Sequence, residues 1–452
     1  MITNKQKLLR AGTCVRARRL ILGAIEASLS AADPKVCVSR HVKLQGKTLH
    51  VMQSRYSLND FDSIHVIGAG KASGRMAEAL FDILRDRITD GLVIIPENLR
   101  TRLRTGGIRL WKASHPIPDE MGVKGVRQML TIVSNVREHD LVICLISGGG
   151  SALMPLPYGE LTIADKQRVT SDLLRSGATI KEINAVRKHL SAIKGGRLAE
   201  RLEKAHVVSL IISDVVGDKL DSVASGPTVP DSTAFKDAAH VLRKYGLWNS
   251  VNLKVKHVIE KGLAGGIPET PKPGSIVFKD VRNFVLANNK IVCDAAFNYL
   301  KSRGVNANVF PVPLEGEARE VGIRVASMAV EINKRQRKPA ALIMGGETTV
   351  TVSGNGKGGR NQELVLAASR GISKLNNTAL ASVGTDGIDG NSKAAGAVAD
   401  VFTTIRAERL NLDPRKFLQN NDSHSFFKRL GDTIQTGPTG TNVNDLLILC
   451  IT

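Results

Sequence analysis

The chain has 452 residues, 42% hydrophobic, 23% charged and 4% aromatic. This is longer than one ordinary core needs and too apolar for wholesale disorder, so two or three globular domains are expected. Sixty-three Lys and Arg against 42 Asp and Glu leave a net charge of +21, which suits nucleotides, phosphorylated metabolites or nucleic acid, although few aromatic rings are present to stack on single-stranded bases.

From the amino terminus, Lys5, Lys7, Arg10, Arg16, Arg18 and Arg19 occur with no acid before Glu26. Two readings stand: an amphipathic mitochondrial targeting segment, or the first helix of the folded protein over Ile21 to Ala32. The five cysteines, at 14, 37, 144, 293 and 450, contain no C-x-x-C pair and are read as reduced intracellular thiols. No apolar run approaches the ~18 residues of a membrane span, so no membrane contact is expected. A cytoplasmic location is expected, with the mitochondrion as the alternative.

Short apolar strands each end in a small or polar loop before a helical stretch: Ile64–Ile67 before GAGKASG, Leu141–Ile146 before SGGGSA, and Val207–Ile212 before SDVVGD. Nearly all-apolar strands are those buried on both faces, which predicts a parallel sheet covered by helices, with ligands beyond the strands' carboxyl ends. A Gly- and Pro-rich stretch from Gly262 to Ser275 marks a domain junction or a long surface loop. Further strands are expected at Ala341–Met344, Thr348–Val352, Ala379–Val383 and Leu446–Ile451. They predict a second α/β unit. The boundaries drawn are 1–255 and 256–452.

Gly68-x-Gly70-x-x-x-Gly74 fits neither the dinucleotide fingerprint nor the P-loop. It either turns backbone amides and Lys71 toward an anion at a helix start, or only packs strand against helix. Ser147-Gly148-Gly149-Gly150-Ser151 carries more bare backbone than a structural turn needs, which points to close ligand approach. Thr179 and Glu182 match a capping box, so a helix is expected from Thr179 to the glycines at 195 and 196, with Asn184 and Lys188 on one face. Its cations Arg187, Lys188 and Lys194 are either a solvated face or part of a site. Asp214 and Asp218, after an apolar strand, could hold a hydrated divalent ion, accept a proton from an attacking hydroxyl, or simply make turns. The stretch Gly345 to Glu363 reads as a hairpin with a glycine-rich tip leading into a helix that starts with Asn361. Arg360 then stands at a helix start, poised to fork onto phosphate or carboxylate. Asp386, Asp389 and the TGPTGTN loop add polar groups nearer the carboxyl terminus.

Taken together, GAGKASGRM, LISGGGSALMPLP, INAVRKHLSAIKGG, SDVVGDKLDSVASGPT, GGETTVTVSGNGKGGRNQE, VGTDGIDG and TGPTGTNVNDL resemble class II glycerate kinase, in order from about Ile21 to the carboxyl terminus. The resemblance implies a Rossmann-like amino-terminal domain and a smaller MOFRL domain, with the active site in the cleft between them. It also implies transfer of the γ-phosphate of ATP to the 2-hydroxyl of D-glycerate with a divalent metal ion, normally Mg2+. Carried over by motif, the catalytic residues are Lys71, Asp214 and Arg360. Gly70, Ser147, Gly148, Gly149, Gly150, Ser151, Asn184, Lys188, Glu347 and Asn361 are expected to contact substrate or phosphate, and Asp218 and Asp386 the metal. Asp214 either orients the substrate hydroxyl or binds magnesium through water with Asp218. D-Glycerate and ATP are the expected partners, with no specific nucleic acid, and a homodimer is left open. Some similar chains bear the label hydroxypyruvate reductase. That alternative is weakened by the missing dinucleotide spacing.

Overall fold

The structure, a computed structural model, describes every residue except 99–102, 216 and 218. Asp218 therefore lies outside the described residues. The chain forms two compact units: a central one, Cys37–Leu286, and a terminal one in which Met1–Val36 joins Ala287–Thr452. A single cut at 255/256 is not where the chain divides. It falls inside the helix Leu253–Leu263, whose Val255, Val258 and Ile259 are buried with Phe235 and Leu242 in one core cluster. The 262–275 stretch is likewise no junction, because Thr270 is buried on Asp231 and the Pro268 carbonyl accepts from Arg197, all within the central unit.

The central unit is built on a six-stranded sheet ordered Ile108–Ala113, Asp90–Pro96, Ser63–Ala69, Asp140–Ser147, His206–Ile212, Val281–Ala287. Neighbours among the first five are parallel. Numbered by their place in the chain these strands run 3-2-1-4-5-6, the doubly wound order, with the direction of winding reversing between Ser63–Ala69 and Asp140–Ser147. The latter is buried along its whole length, as its unbroken apolar sequence requires. A three-stranded antiparallel sheet, Val42–Gln45, Thr48–Val51 and Ser54–Ser57, precedes it.

The terminal unit has a mixed sheet ordered Asn306–Val309, Ala340–Gly346, Asp445–Ile451, Thr378–Gly384, Gly396–Asp400, Thr433–Ile434. Only its first pair is parallel. Helices Val15–Ala31 and Asn289–Lys301 pack on each other and on Asp445–Ile451 and Ala340–Gly346, while Ala318–Arg335 packs against Arg360–Ile372. Gly322 makes the second contact close: a Cβ there would lie 2.3 Å from the Leu364 carbonyl. The strand expected at Thr348–Val352 does not form. Its backbone is met in a mixed way instead: Thr349 N donates to the Gly316 carbonyl and the Thr349 carbonyl accepts from Ala318 N, while Thr351 N donates to the Glu317 carboxylate and the Thr351 carbonyl accepts from Asn421 Nδ2. No helix among the described residues is long and apolar enough to cross a membrane.

The basic amino-terminal segment is integral to this unit. Arg18, on Val15–Ala31, is fully buried; its Nε donates to Asp400 at 2.7 Å, Nη1 to Asp432 at 2.7 Å and to the Leu8 carbonyl at 3.0 Å. Removing one member of such a network leaves buried carboxylates short of a partner, at a cost of about 3–5 kcal/mol. Arg18→Met is therefore expected to lower the melting temperature of the terminal unit by roughly 10 °C in calorimetry. An unchanged transition would contradict this account of how residues 1–36 are held.

Candidate active site

In the central unit, the two strands flanking the winding reversal end in the glycine loops singled out from sequence. They interlock. Lys71 N donates to the Gly148 carbonyl at 2.9 Å, Ala72 N to Ser147 Oγ at 3.0 Å, and Ser73 Oγ to the Leu145 carbonyl at 3.0 Å. This approach is what excludes side chains at the glycines. A Cβ on Gly70 (φ 149°) would stand 2.0 Å from Ser147 Oγ, and one on Gly68 2.0 Å from the Leu145 carbonyl. Ser147, almost fully buried, thus spends its hydroxyl on holding the loops together.

The glycine run sorts three chemistries onto consecutive residues. A Cβ on Gly148 would strike Asp214 Oδ2 at 2.2 Å, so the aspartate at the end of His206–Ile212 lies directly on that glycine. One on Gly149, whose φ of 81° already favours glycine, would meet the His115 ring at 2.9 Å and Lys71 Cγ at 3.2 Å. One on Gly150 would meet Ala224 Cβ at 2.7 Å. A carboxylate, an amine and an imidazole therefore meet one stretch of bare backbone beyond the sheet's carboxyl edge, the usual place for ligands in this topology.

His115 gave no signal in the sequence beyond being a lone histidine in a turn. Burial, and then the neighbouring Lys71 ammonium, bring its imidazole down to about 4, so at neutral pH it is an uncharged donor and acceptor.

The next layer corrects the expectations for the following helix. Thr179 and Glu182 form the capping box, but the helix is Ile180–His189 and stops well before the glycines. Asn184 is buried, and its Oδ1 accepts from Ser225 Oγ at 3.4 Å, which in turn lies 2.7 Å from Ser151 Oγ. Lys188 is committed elsewhere: buried, it bridges Asp221 at 3.0 Å and Asp231 at 3.3 Å. Of its neighbours, which sequence left as a solvated face or a site, Lys194 is buried, as is Lys166, and Arg187 is partly buried.

In the terminal unit, the ends of Ala340–Gly346 and Thr378–Gly384 flank the start of Asp445–Ile451, with Gly346 and Gly384 both paired to Asp445. Arg360 opens the helix Arg360–Ile372, one residue earlier than expected. Its Nε and Nη2 fork onto Asp445 at 2.6 and 3.1 Å, and Nη1 donates to Glu347 at 2.5 Å. Asn444 Nδ2 holds the other Glu347 oxygen at 2.8 Å. Burial pushes the Asp445 carboxyl up to about 7 and the guanidinium pulls against it. Arg360 keeps its charge, since the two carboxylates outweigh the burial that opposes it. Asn361 is internal: its Nδ2 donates to Asp389 at 3.2 Å and its Oδ1 accepts from Ser382 at 2.6 Å. Asp389 caps the helix by accepting from Asn361 N and Gln362 N. Asp386 makes a turn, accepting from Ile388 N at 3.1 Å.

Among the described residues no group of three or more His, Cys, Asp or Glu could hold a metal ion. Glu347 and Asp445 are already neutralised by Arg360.

The lowered His115 value has a definite sign. Between about 6.5 and about 4 the unfolded chain binds a proton that the folded chain does not, so this residue's contribution is present above that range and lost as pH falls through it. Proton NMR titration should place His115 near 4, and Lys71→Met should move it upward. A midpoint near 6.5 in the unaltered chain would contradict the burial of this ring against Lys71.

A family model described as a domain of unknown function, DUF4147, matches residues 20–260, and the MOFRL family model matches 340–445. The chain is 44% identical over 392 residues to the D-glycerate 2-kinase of Thermotoga maritima, covering 86% of this chain and 91% of that protein. It is 41% identical over 391 residues to a putative hydroxypyruvate reductase of Agrobacterium vitis, covering 85% and 98%. A solved glycerate kinase from Thermotoga maritima superposes with a TM-score of 0.85 at 40% identity, covering 96% of this chain and 99% of that one. The doubly wound central unit and these matches agree: this chain belongs to the glycerate 2-kinase family that carries a MOFRL domain.

Proposed function

We propose that the protein transfers the γ-phosphoryl group of ATP to the 2-hydroxyl of D-glycerate, giving 2-phosphoglycerate and ADP. The observation that carries this reading is the pairing of Asp214 on Gly148 with Lys71 on Gly149, in a chain whose relatives include a D-glycerate 2-kinase. Phosphoryl transfer asks a protein mainly for positioning and for charge opposite the equatorial oxygens.

In this reading the carboxylate of Asp214 accepts the proton of the 2-hydroxyl as its oxygen forms a bond to the γ-phosphorus. The bond from that phosphorus to the β–γ bridging oxygen breaks, and ADP leaves with the electron pair. Lys71 and the amides of the glycine run face the charge that builds up. Arg360 contributes the second cation. A guanidinium has five N–H donors; the three bonds to Asp445 and Glu347 orient it and leave two for phosphoryl oxygens. The divalent ion enters as part of the nucleotide substrate, because triphosphate-borne magnesium needs few protein ligands. A cytoplasmic location goes with this reading; all five cysteines are free and buried.

The oxidoreductase reading draws on the Agrobacterium relative. Against it stands Gly70. In a dinucleotide fold that glycine leaves room for a pyrophosphate, whereas here the room is filled by Ser147 Oγ of the adjoining loop.

Coupled measurement of ADP formation should show turnover with D-glycerate, and Lys71→Ala or Arg360→Ala should each lower kcat by ~10³-fold, as loss of a charge acting in the transition state does. Near-normal rates in both variants would refute their roles. Fluorescence titration with NADH should give no saturable signal; saturation would favour the reductase.

A further inference from the structure

Lys166, Arg187 and Lys194 are close enough for each lysine to be depressed by Arg187, and Lys194 by Lys166 as well. Burial is the larger cause in both. It brings Lys166 down to about 7 and Lys194 well below the ordinary lysine range. Two buried lysines with a partly buried arginine beside them and no acid among the three are an unfavourable arrangement unless an anion completes it.

The three are not equivalent. Lys166 Nζ donates to the Pro155 carbonyl at 2.9 Å, and Lys194 Nζ to the carbonyls of Ser151 at 3.0 Å and Ala224 at 3.4 Å. Both can rest as neutral amines on those oxygens. Arg187 cannot shed its proton, and among the described residues it has no hydrogen bond or ion pair. The contrast with the adjacent Lys188, supplied with both Asp221 and Asp231, shows that this fold does provide acids for buried cations that are structural.

Position gives the missing anion a chemistry. Arg187 lies three residues after Asn184 on the same helix face, and Asn184 leads through Ser225 to Ser151. Ala224, where Lys194 donates, sits on Gly150, two residues along the same run from the glycine that carries Asp214. Ala224 and Ser225 are both held at positive φ, 51° and 62°, a conformation that non-glycine residues keep only where surrounding structure imposes it, often at ligand sites. A 2-hydroxy acid with its hydroxyl at Asp214 would carry its carboxylate on the neighbouring carbon.

We infer that Arg187, backed by Lys194 and flanked by Asn184 and Ser225, is the subsite that takes the carboxylate of the acceptor and so selects hydroxy acids over neutral polyols. The inference rests on the kinase reading and adds the residue that sets its substrate class. A guanidinium forks onto a carboxylate with two parallel bonds, which an ammonium cannot do.

The test uses the full chain, Arg187→Met and Arg187→Lys, with D-glycerate and its uncharged methyl ester as acceptors. Arg187→Met should raise KM for D-glycerate about 30-fold or more, the size expected for losing a charge-assisted pair. It should leave KM for ATP and turnover of the ester within about 3-fold, with Arg187→Lys intermediate. The melting temperature of Arg187→Met should be unchanged or higher, because a partly buried cation without a counter-ion is removed. An unchanged KM for D-glycerate, or a rise confined to ATP, overturns the inference; the latter assigns Arg187 to the nucleotide. Should the unaltered chain form no ADP with D-glycerate, the kinase reading fails separately. Calorimetric titration with D-lactate and D-glycerate without nucleotide then decides the subsite: binding lost in Arg187→Met supports it, and equal binding overturns it.

Discussion

Everything proposed for the central unit depends on backbone meeting backbone where the sheet reverses its winding. Gly70, Gly148 and Gly150 each occupy space where a single added carbon would fall between 2.0 and 2.7 Å from a neighbour, so the loops interlock only because those side chains are missing. That approach brings Asp214, Lys71 with His115, and Ala224 onto successive residues of one run. Conformational entropy is spent on the glycines, and what it secures is convergence without long side chains having to find one another.

The terminal unit solves a different problem, that of holding a guanidinium in one orientation with N–H donors to spare. Asp445 grips Arg360 from the start of a central strand, and Glu347 grips it from the end of the adjoining one. Their bonds fix the plane of the guanidinium and leave donors over. A fixed charge costs little to orient at the moment of reaction, which is the principle behind electrostatic stabilisation of a developing oxyanion. The same logic, with the acids left out, distinguishes Arg187 from Lys188.

Much of this was legible in the sequence, and what was missed has physical reasons. Strands such as Asp140–Ser147 announce themselves because burial on both faces demands unbroken apolarity, and the glycine runs because no other residue fits. Thr179 and Glu182 gave the helix start correctly. Its end was overextended, because the chain leaves the helix at His189 to place Lys194 on the Ser151 carbonyl, a tertiary demand that local pattern does not record. Lys188 looked like a ligand contact from spacing alone, since the acids that claim it come 33 and 43 residues later. The Thr348–Val352 strand failed for a similar reason: its backbone partners are the distant Gly316–Ala318 segment and the Asn421 side chain. Asp445 and His115 drew no attention, one hidden at the edge of an apolar strand and the other alone in a turn.

The account of the central unit rests on Lys71 and Asp214 serving one reaction from neighbouring glycines of the same run. A crystal structure with ADP, aluminium fluoride and D-glycerate tests this most directly. The account predicts Lys71 Nζ at about 3 Å from the fluoride-bearing group, with the Asp214 carboxylate on the 2-hydroxyl. If either side chain stands away from those groups while all three ligands are bound, the central claim is contradicted.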